Sequence, residues 1–385
     1  MRRKILLLLI LLTAGSCVTQ FIPETNNVKD FLVVQGLITD QNSRYQVKIS
    51  SSSPLDVNFF YSPIRGCNVY ITDDIGNQYL LKETLAGLYV SDSLKFRGVV
   101  GREYILHITS YNHSYESKPM KMQPVPPIDS VYAEVVNSDT YALGQIVPGY
   151  QIYVDTHDPE KKCNYYRWDF NETWEFRIPY FYETIVNRIC WKTANSDKIF
   201  VKNTSVLTED RVSKFALNFV TTETDRLKVK YSFLVRQFSL NQEEYNYWDA
   251  LQRITENVGG LYDIVPMSVE SNINCTDSPA EKVLGFFSVS SMASKRIFIK
   301  NTLTGFSDFY SNCPSDTISS LQSDGFLNIF NWVIAEFNVG PPPGGNRYVL
   351  TNRKECADCT LSGSNVMPLY WNETKNDAVI QSVFK

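Results

Sequence analysis

The chain is poor in histidine: among 385 residues there are three, His107, His113 and His157. None stands in HExxH or a comparable spacing, so the sequence carries no zinc-hydrolase signature and no metal site is expected. A GxSxG elbow, a GxxxxGK loop and a GxGxxG turn are also missing, which removes the usual marks of α/β-hydrolases, P-loop NTPases and dinucleotide enzymes. A basic excess is lacking as well: 37 Lys and Arg face 41 Asp and Glu, a balance that disfavours nucleic acid as a partner. Long apolar runs are absent too. The run Ile5–Leu12 spans eight residues, far short of the roughly 20 needed to cross the hydrocarbon core as a helix.

That short run does carry a message. Arg2, Arg3 and Lys4 precede it, and Ala14-Gly15-Ser16-Cys17 follow it, the layout of a secretory signal ending at a lipidated cysteine. Residues 1–16 read as a lipoprotein signal peptide cut before Cys17, although the position three before the cysteine, most often Leu in such signals, is Ala14. A diacylglyceryl group on Cys17 would be the only covalent group, with no other cofactor expected. At about 0.8 kcal/mol per buried CH₂, two or three acyl chains anchor a domain stably. Losing Arg2, Arg3 and Lys4 leaves 34 basic against 41 acidic residues, a mature charge of about −7.

Eight cysteines are present, and lipidation of Cys17 leaves seven. In an exported chain, up to three disulfides are expected among Cys163, Cys190, Cys275, Cys313, Cys356 and Cys359, with connectivity open. Cys67 is the expected free thiol, a small inward side chain on a strand with Val69 and Ile71. Cys356-Ala-Asp-Cys359 lacks a second ligand pair or a βαβ setting, so a structural disulfide is favoured over a zinc or redox site.

Composition and patterning predict a mainly β chain with 13% aromatic residues. Residues 17–30 show no periodicity and read as lipid anchor and tether. Residues 31–123 hold seven short alternating runs separated by turn signals such as Asp73–Asn77, which predicts an Ig- or fibronectin-like β-sandwich. Within it Tyr104, Leu106 and Ile108 are expected to point inward. Residues 124–129 (Pro-Val-Pro-Pro-Ile-Asp) fix extended backbone and read as a stiff linker. Residues 130–385 form a larger β-rich domain, a second sandwich with one inserted helix at about 240–258. For that helix Ser239 and Gln242 supply a capping box, Tyr245, Trp248, Leu251, Ile254 and Val258 an apolar stripe read as core, and Gly259-Gly260 the stop.

Candidate sites are few. Asp155, Asp158 and Glu160 around His157 lack the every-second-residue pattern of a calcium loop and read as a solvated turn. Phe330, Trp332 and Phe337 flank Pro341-Pro342-Pro343, an irregular loop among aromatics that suits contact with a partner. Ser93, Ser130 and Thr317 stand in Asp-Ser/Thr-aliphatic triplets, possible acceptors of O-linked sugar. No pairing of nucleophile and base emerges, and a non-enzymatic protein is expected.

Leu32-Val33-Val34-Gln35-Gly36-Leu37-Ile38-Thr39-Asp40, Gly87-Leu88-Tyr89, Tyr104–Ile108, Val125–Val131, Tyr166-Arg167-Trp168, Cys190-Trp191 and Cys356-Ala-Asp-Cys359 with Pro368 and Trp371 occur in this order. Together they resemble the large Bacteroidota lipoproteins known only as a domain of unknown function. Cys67 departs from the Ala usual there. The resemblance implies an outer-membrane accessory protein, commonly paired with TonB-dependent transporters and analogous to starch-utilisation lipoproteins. The expected partners are an outer-membrane β-barrel and, through the lipid, the membrane itself. Display on the cell surface is favoured, although Val18-Thr19-Gln20 lacks the acidic residues usual after a surface-export cysteine. Alternatives are a structural subunit of an outer-membrane assembly or secretion machine and an extracellular hydrolase.

Overall fold

A computed structural model describes residues 31–52, 62–92, 95–110, 113–140, 145–178, 187–222, 224–256, 269–300, 316–318, 332–338 and 346–372. The signal, Cys17, the tether, Ser93, Cys313, Phe330 and Pro341–Pro343 lie outside them.

Alternation builds the first unit. Its nine local strands are β1 (Leu32–Ile38), β2 (Gln46–Ser51), β3 (Ser62–Pro63), β4 (Asn68–Asp73), β5 (Gln78–Leu85), β6 (Leu88–Val90), β7 (Glu103–Ser110), β8 (His113–Ser117) and β9 (Met120–Lys121). Val34, Ile49, Val69, Ile71, Tyr104, Leu106 and Ile108 fill one core, as a period of two demands. Turn chemistry sets the register: Asp73 Oδ1 accepts the N–H groups of Ile75 (3.2 Å) and Asn77 (2.8 Å), and Gly76 takes φ +87°. Cys67 is buried in this core as a free thiol.

The unit does not end at residue 123. Two strands from far along the chain, β17 (Ile273–Cys275) and β18 (Val283–Val289), complete its sheet, in the order β17-β8-β7-β4-β5-β6-β2-β1-β18, with β3 on β2 and β9 on β7. β1 pairs with β18 in parallel from Leu32↔Val283 to Ile38↔Val289. The sheet is rolled until its ends meet: the Asn272 amide donates to the Phe287 carbonyl and accepts the Phe287 N–H, both at 2.9 Å. The expected boundary at 123 is thus corrected. Pairing across some 250 residues leaves no local pattern, and an open edge on β1 is a liability that the returning strand removes.

The second unit packs two sheets face to face. One holds β10 (Ile128–Thr140), β11 (Gln145–His157) and β15 (Arg211–Thr221). The other holds β12 (Tyr165–Arg177), β13 (Ile189–Asn195), β14 (Phe200–Asn203), β16 (Lys230–Ser239) and β19 (Met292–Lys300). Ile152, Val154, Tyr166, Trp168, Phe233 and Ile297 share the core between them. The proline segment is packed into this body. Ile128 and Asp129 open β10, and the Pro126 carbonyl accepts from buried Gln237 at 2.9 Å.

Helix α1 (Gln242–Glu256) follows β16. Its cap is Asn241, whose Oδ1 accepts the Glu244 N–H at 2.8 Å. The expected cap, Ser239, is the last residue of β16 and donates its hydroxyl to the Gln123 carbonyl at 2.6 Å. A small sheet of β20 (Asp316–Ile318), β22 (Asn346–Thr351) and β21 (Trp332–Asn338) packs Ile334 and Val349 with Phe176 and Cys190. No helix among the described residues is long and apolar enough to cross a membrane.

Cys190 and Cys359 are joined, Cα–Cα 5.7 Å. Cys356 is also disulfide-bonded, so the reading of Cys356 and Cys359 as one disulfide is corrected. The two sit in separate 3-10 turns, Lys354–Cys356 and Cys359–Leu361. Two further expected disulfide cysteines, Cys163 and Cys275, are free thiols. Cys163 is 1% exposed and packs as a small apolar side chain in the second core. Cys275 lies on β17, with its Sγ on Asp277 Oδ1 at 3.0 Å.

Candidate functional site: a cleft where the two sandwiches meet

The site follows from the alternation of β12. Tyr166, Trp168 and Phe170 turn into the second core, so Arg167 and Asp169 point to the opposite face, toward α1 and the first unit. There a cleft of about 670 Å³ opens, within the size range of small-molecule sites. It is bounded by Gln35 of β1, Lys48 of β2, Arg167 of β12, Tyr247 and Trp248 of α1, and Phe286 of β18.

Arg167 is the central group. Its side chain is 11% exposed, and its guanidinium lies over Phe238 (4.2 Å to the centroid) and Trp248 (4.7 Å), a cation–π sandwich. Nη1 is 3.7 Å from Asp169 Oδ2, while the buried Nε has no hydrogen-bond partner. Asp169 Oδ1 accepts from Arg236 Nε at 2.5 Å. Burial pulls the Arg167 pKa down, against the opposing pull of Asp169 and Glu244. Glu244, fully buried beneath α1, has its pKa raised by burial, against hydrogen bonds from Ser288, Trp248 and Ser290 and the charge of Arg167. Desolvation thus opposes the charged form of both groups, and Arg167 remains a guanidinium cation. An unpaired N–H in such a place costs about 1–3 kcal/mol unless an acceptor meets it.

Apolar faces complete the cleft. Tyr247 and Phe286 lie 4.7 Å apart between ring centroids, and Trp248 meets Tyr247 edge-on at 5.3 Å. The arrangement offers aromatic surface for a flat apolar group and two cationic side chains, Lys48 and Arg167, for an acceptor oxygen. The helix stripe expected to be core holds in part: Tyr245 and Trp248 pack, partly buried, against Val201, Phe238 and Leu240. Trp248 and Leu251 line the cleft, Ile254 is 38% exposed, and the buried residue of α1 is Glu244. Because α1 bridges two bodies, each side meets a different surface and no single buried stripe forms.

The residues singled out by sequence are scattered. Trp332 is 37% exposed on β21, which also contains Phe337. The Ser130 hydroxyl donates to Asp155 Oδ2 at 2.8 Å within the β10–β11 pair, so this expected sugar acceptor is already engaged. Thr317 is exposed on β20. Asp155 also accepts the Lys214 N–H (2.6 Å), Asp158 accepts the N–H groups of Glu160, Lys162 and Cys163 at 2.8–3.0 Å, and His157 binds Asp129 (2.7 Å). His157, Asp158 and Glu160 line a shallow pocket with the proline segment, whereas Asp155 stands outside it. Arg167 was visible only within the Tyr-Arg-Trp motif. A charged residue between two inward aromatics was the available signal.

Residues 18–296 match the model of a family described as Domain of unknown function (DUF4249). No curated protein matches the chain.

Proposed function

For this chain, which belongs to the DUF4249 family, we propose the role of an outer-membrane lipoprotein: a non-enzymatic binding subunit, anchored through Cys17, that holds a small ligand in the cleft between its sandwiches beside a β-barrel of the TonB-dependent transporter type. The observation that carries the binding role is Arg167, an almost wholly buried guanidinium stacked on Phe238 and Trp248 that lines an aromatic cleft. The ligand class it suits has a flat apolar face and an acceptor such as a carboxylate or carbonyl oxygen. The lipid supplies proximity to the barrel. On the membrane surface the protein meets its partner at a raised effective concentration, so a modest contact area suffices.

The test is purification of the native protein from its own membranes in mild detergent. The proposal expects a transporter barrel to co-purify, and Cys17→Ser to move the protein out of the membrane fraction. A lone monomer from native membranes, or Cys17→Ser protein retained there, contradicts it.

A further inference from the structure

A second cluster shares no residue with the cleft and lies where β17 pairs with β8. His113 opens β8, Cys275 ends β17, and Asp277 and Glu281 follow in the turn. His113 Nδ1 is 3.0 Å from Asp277 Oδ1 and 4.0 Å from Glu281 Oε2. Cys275 Sγ stands 3.0 Å from the same Asp277 oxygen. Ligand atoms of His113, Cys275 and Glu281 lie within 4.8 Å of one another.

We infer that His113, Cys275 and Glu281, with Asp277, form a binding site for a divalent transition metal of the zinc type. One imidazole nitrogen, one sulfur and carboxylate oxygens are the mixed donor set that Zn²⁺ accepts. Around a tetrahedral zinc such atoms are about 3.3–3.8 Å apart, so a contraction of roughly 1 Å at the widest pair closes the site. The surroundings already orient the donors. Asp277 Oδ2 accepts the Ser114 N–H at 3.0 Å, and Tyr115 donates to Glu281 Oε1 at 2.6 Å. Such outer contacts fix ligand geometry. The buried thiol has the exposed imidazole and half-buried carboxylate on its open side, so an ion has an entry path. Binding converts the Cys275 thiol to thiolate, and its proton passes to solvent. The ion would join residues 113–115 to residues 275–281 and clamp β17 onto the sheet.

Co²⁺ added anaerobically to the full-length protein in detergent is the probe, with Zn²⁺ as competitor. The inference expects one Co²⁺ per chain, a sulfur-to-cobalt absorption band in the near ultraviolet, and its loss on adding one equivalent of Zn²⁺. Cys275→Ser removes the band, Glu281→Gln weakens Co²⁺ binding at least tenfold, and Cys163→Ser, which alters a buried thiol in the core of the second unit, leaves both unchanged. Should Cys275→Ser not fold, His113→Ala with the thiol intact serves as the second variant, with the same tenfold loss expected. No thiolate band in the wild type, or a band that survives loss of Cys275, overturns the inference.

Discussion

At the scale of single residues, buried polar groups carry much of the specificity of this fold. Gln237 is fully buried. Its Oε1 accepts from Trp168 Nε1 (2.9 Å), and its Nε2 donates to the Pro126 carbonyl (2.9 Å) and Thr156 Oγ1 (3.1 Å). It ties the proline segment to both sheets of the second sandwich. Gln237→Ala strands the Trp168 N–H and the Pro126 carbonyl and leaves a cavity, so a loss of about 3–4 kcal/mol is expected. Urea unfolding checks it, and a loss below about 1 kcal/mol contradicts the network. Sequence periodicity places the strand that holds Gln237 but gives no reason for an inward polar residue. Arg167 is the converse case: alternation with Tyr166 and Trp168 puts it on the outer face, yet only the tertiary fold shows that this face is covered by α1. Cys163 and Cys275 were misread because a cysteine count cannot distinguish a packed thiol from a bonded one.

At the scale of elements, the parallel pairing of β1 with β18 decides the architecture. Gly285 faces Val34 at φ +90°, and a Cβ there would sit 1.9 Å from the Val34 carbonyl oxygen. Such a clash with backbone, added to a left-handed conformation, cannot relax cheaply. Gly285→Ala should therefore cost more than about 3 kcal/mol and lower the urea midpoint, whereas a change within about 0.5 kcal/mol would mean that the two strands do not pair in this way. Most strands were legible from alternation and turn residues. Tyr104, Leu106 and Ile108 point into the core from β7 (Glu103–Ser110), as their alternation predicts. The partner of β1 was not legible, because period-two patterning reports which face is buried and says nothing of which distant strand lies alongside. The helix was placed within two residues of its observed start, with Asn241 as cap in place of Ser239, and its expected end at 258 lies outside the described residues. Asn241 and Ser239 are both good caps by type, and the run of β16 through Ser239 is what selects between them.

For the whole molecule, a chain that returns to its first sheet after building its second brings the two units and α1 around one cleft. The Cys190–Cys359 bond, across a separation of 169 residues, fastens the 3-10 turn Cys359–Leu361 to β13. Two lobes held by a crossing chain give a site whose walls come from both, which favours holding a ligand over passive scaffolding. The cleft was not legible in the sequence, since its residues stand on β1, β2, β12, α1 and β18. The most direct test is native mass spectrometry of the full-length lipoprotein released from its own membranes, wild type beside Arg167→Met. The account predicts one small bound mass on the wild type that Arg167→Met lacks, with unchanged far-ultraviolet circular dichroism in both. A wild type with no bound mass, or an Arg167→Met protein that keeps it, would contradict the account.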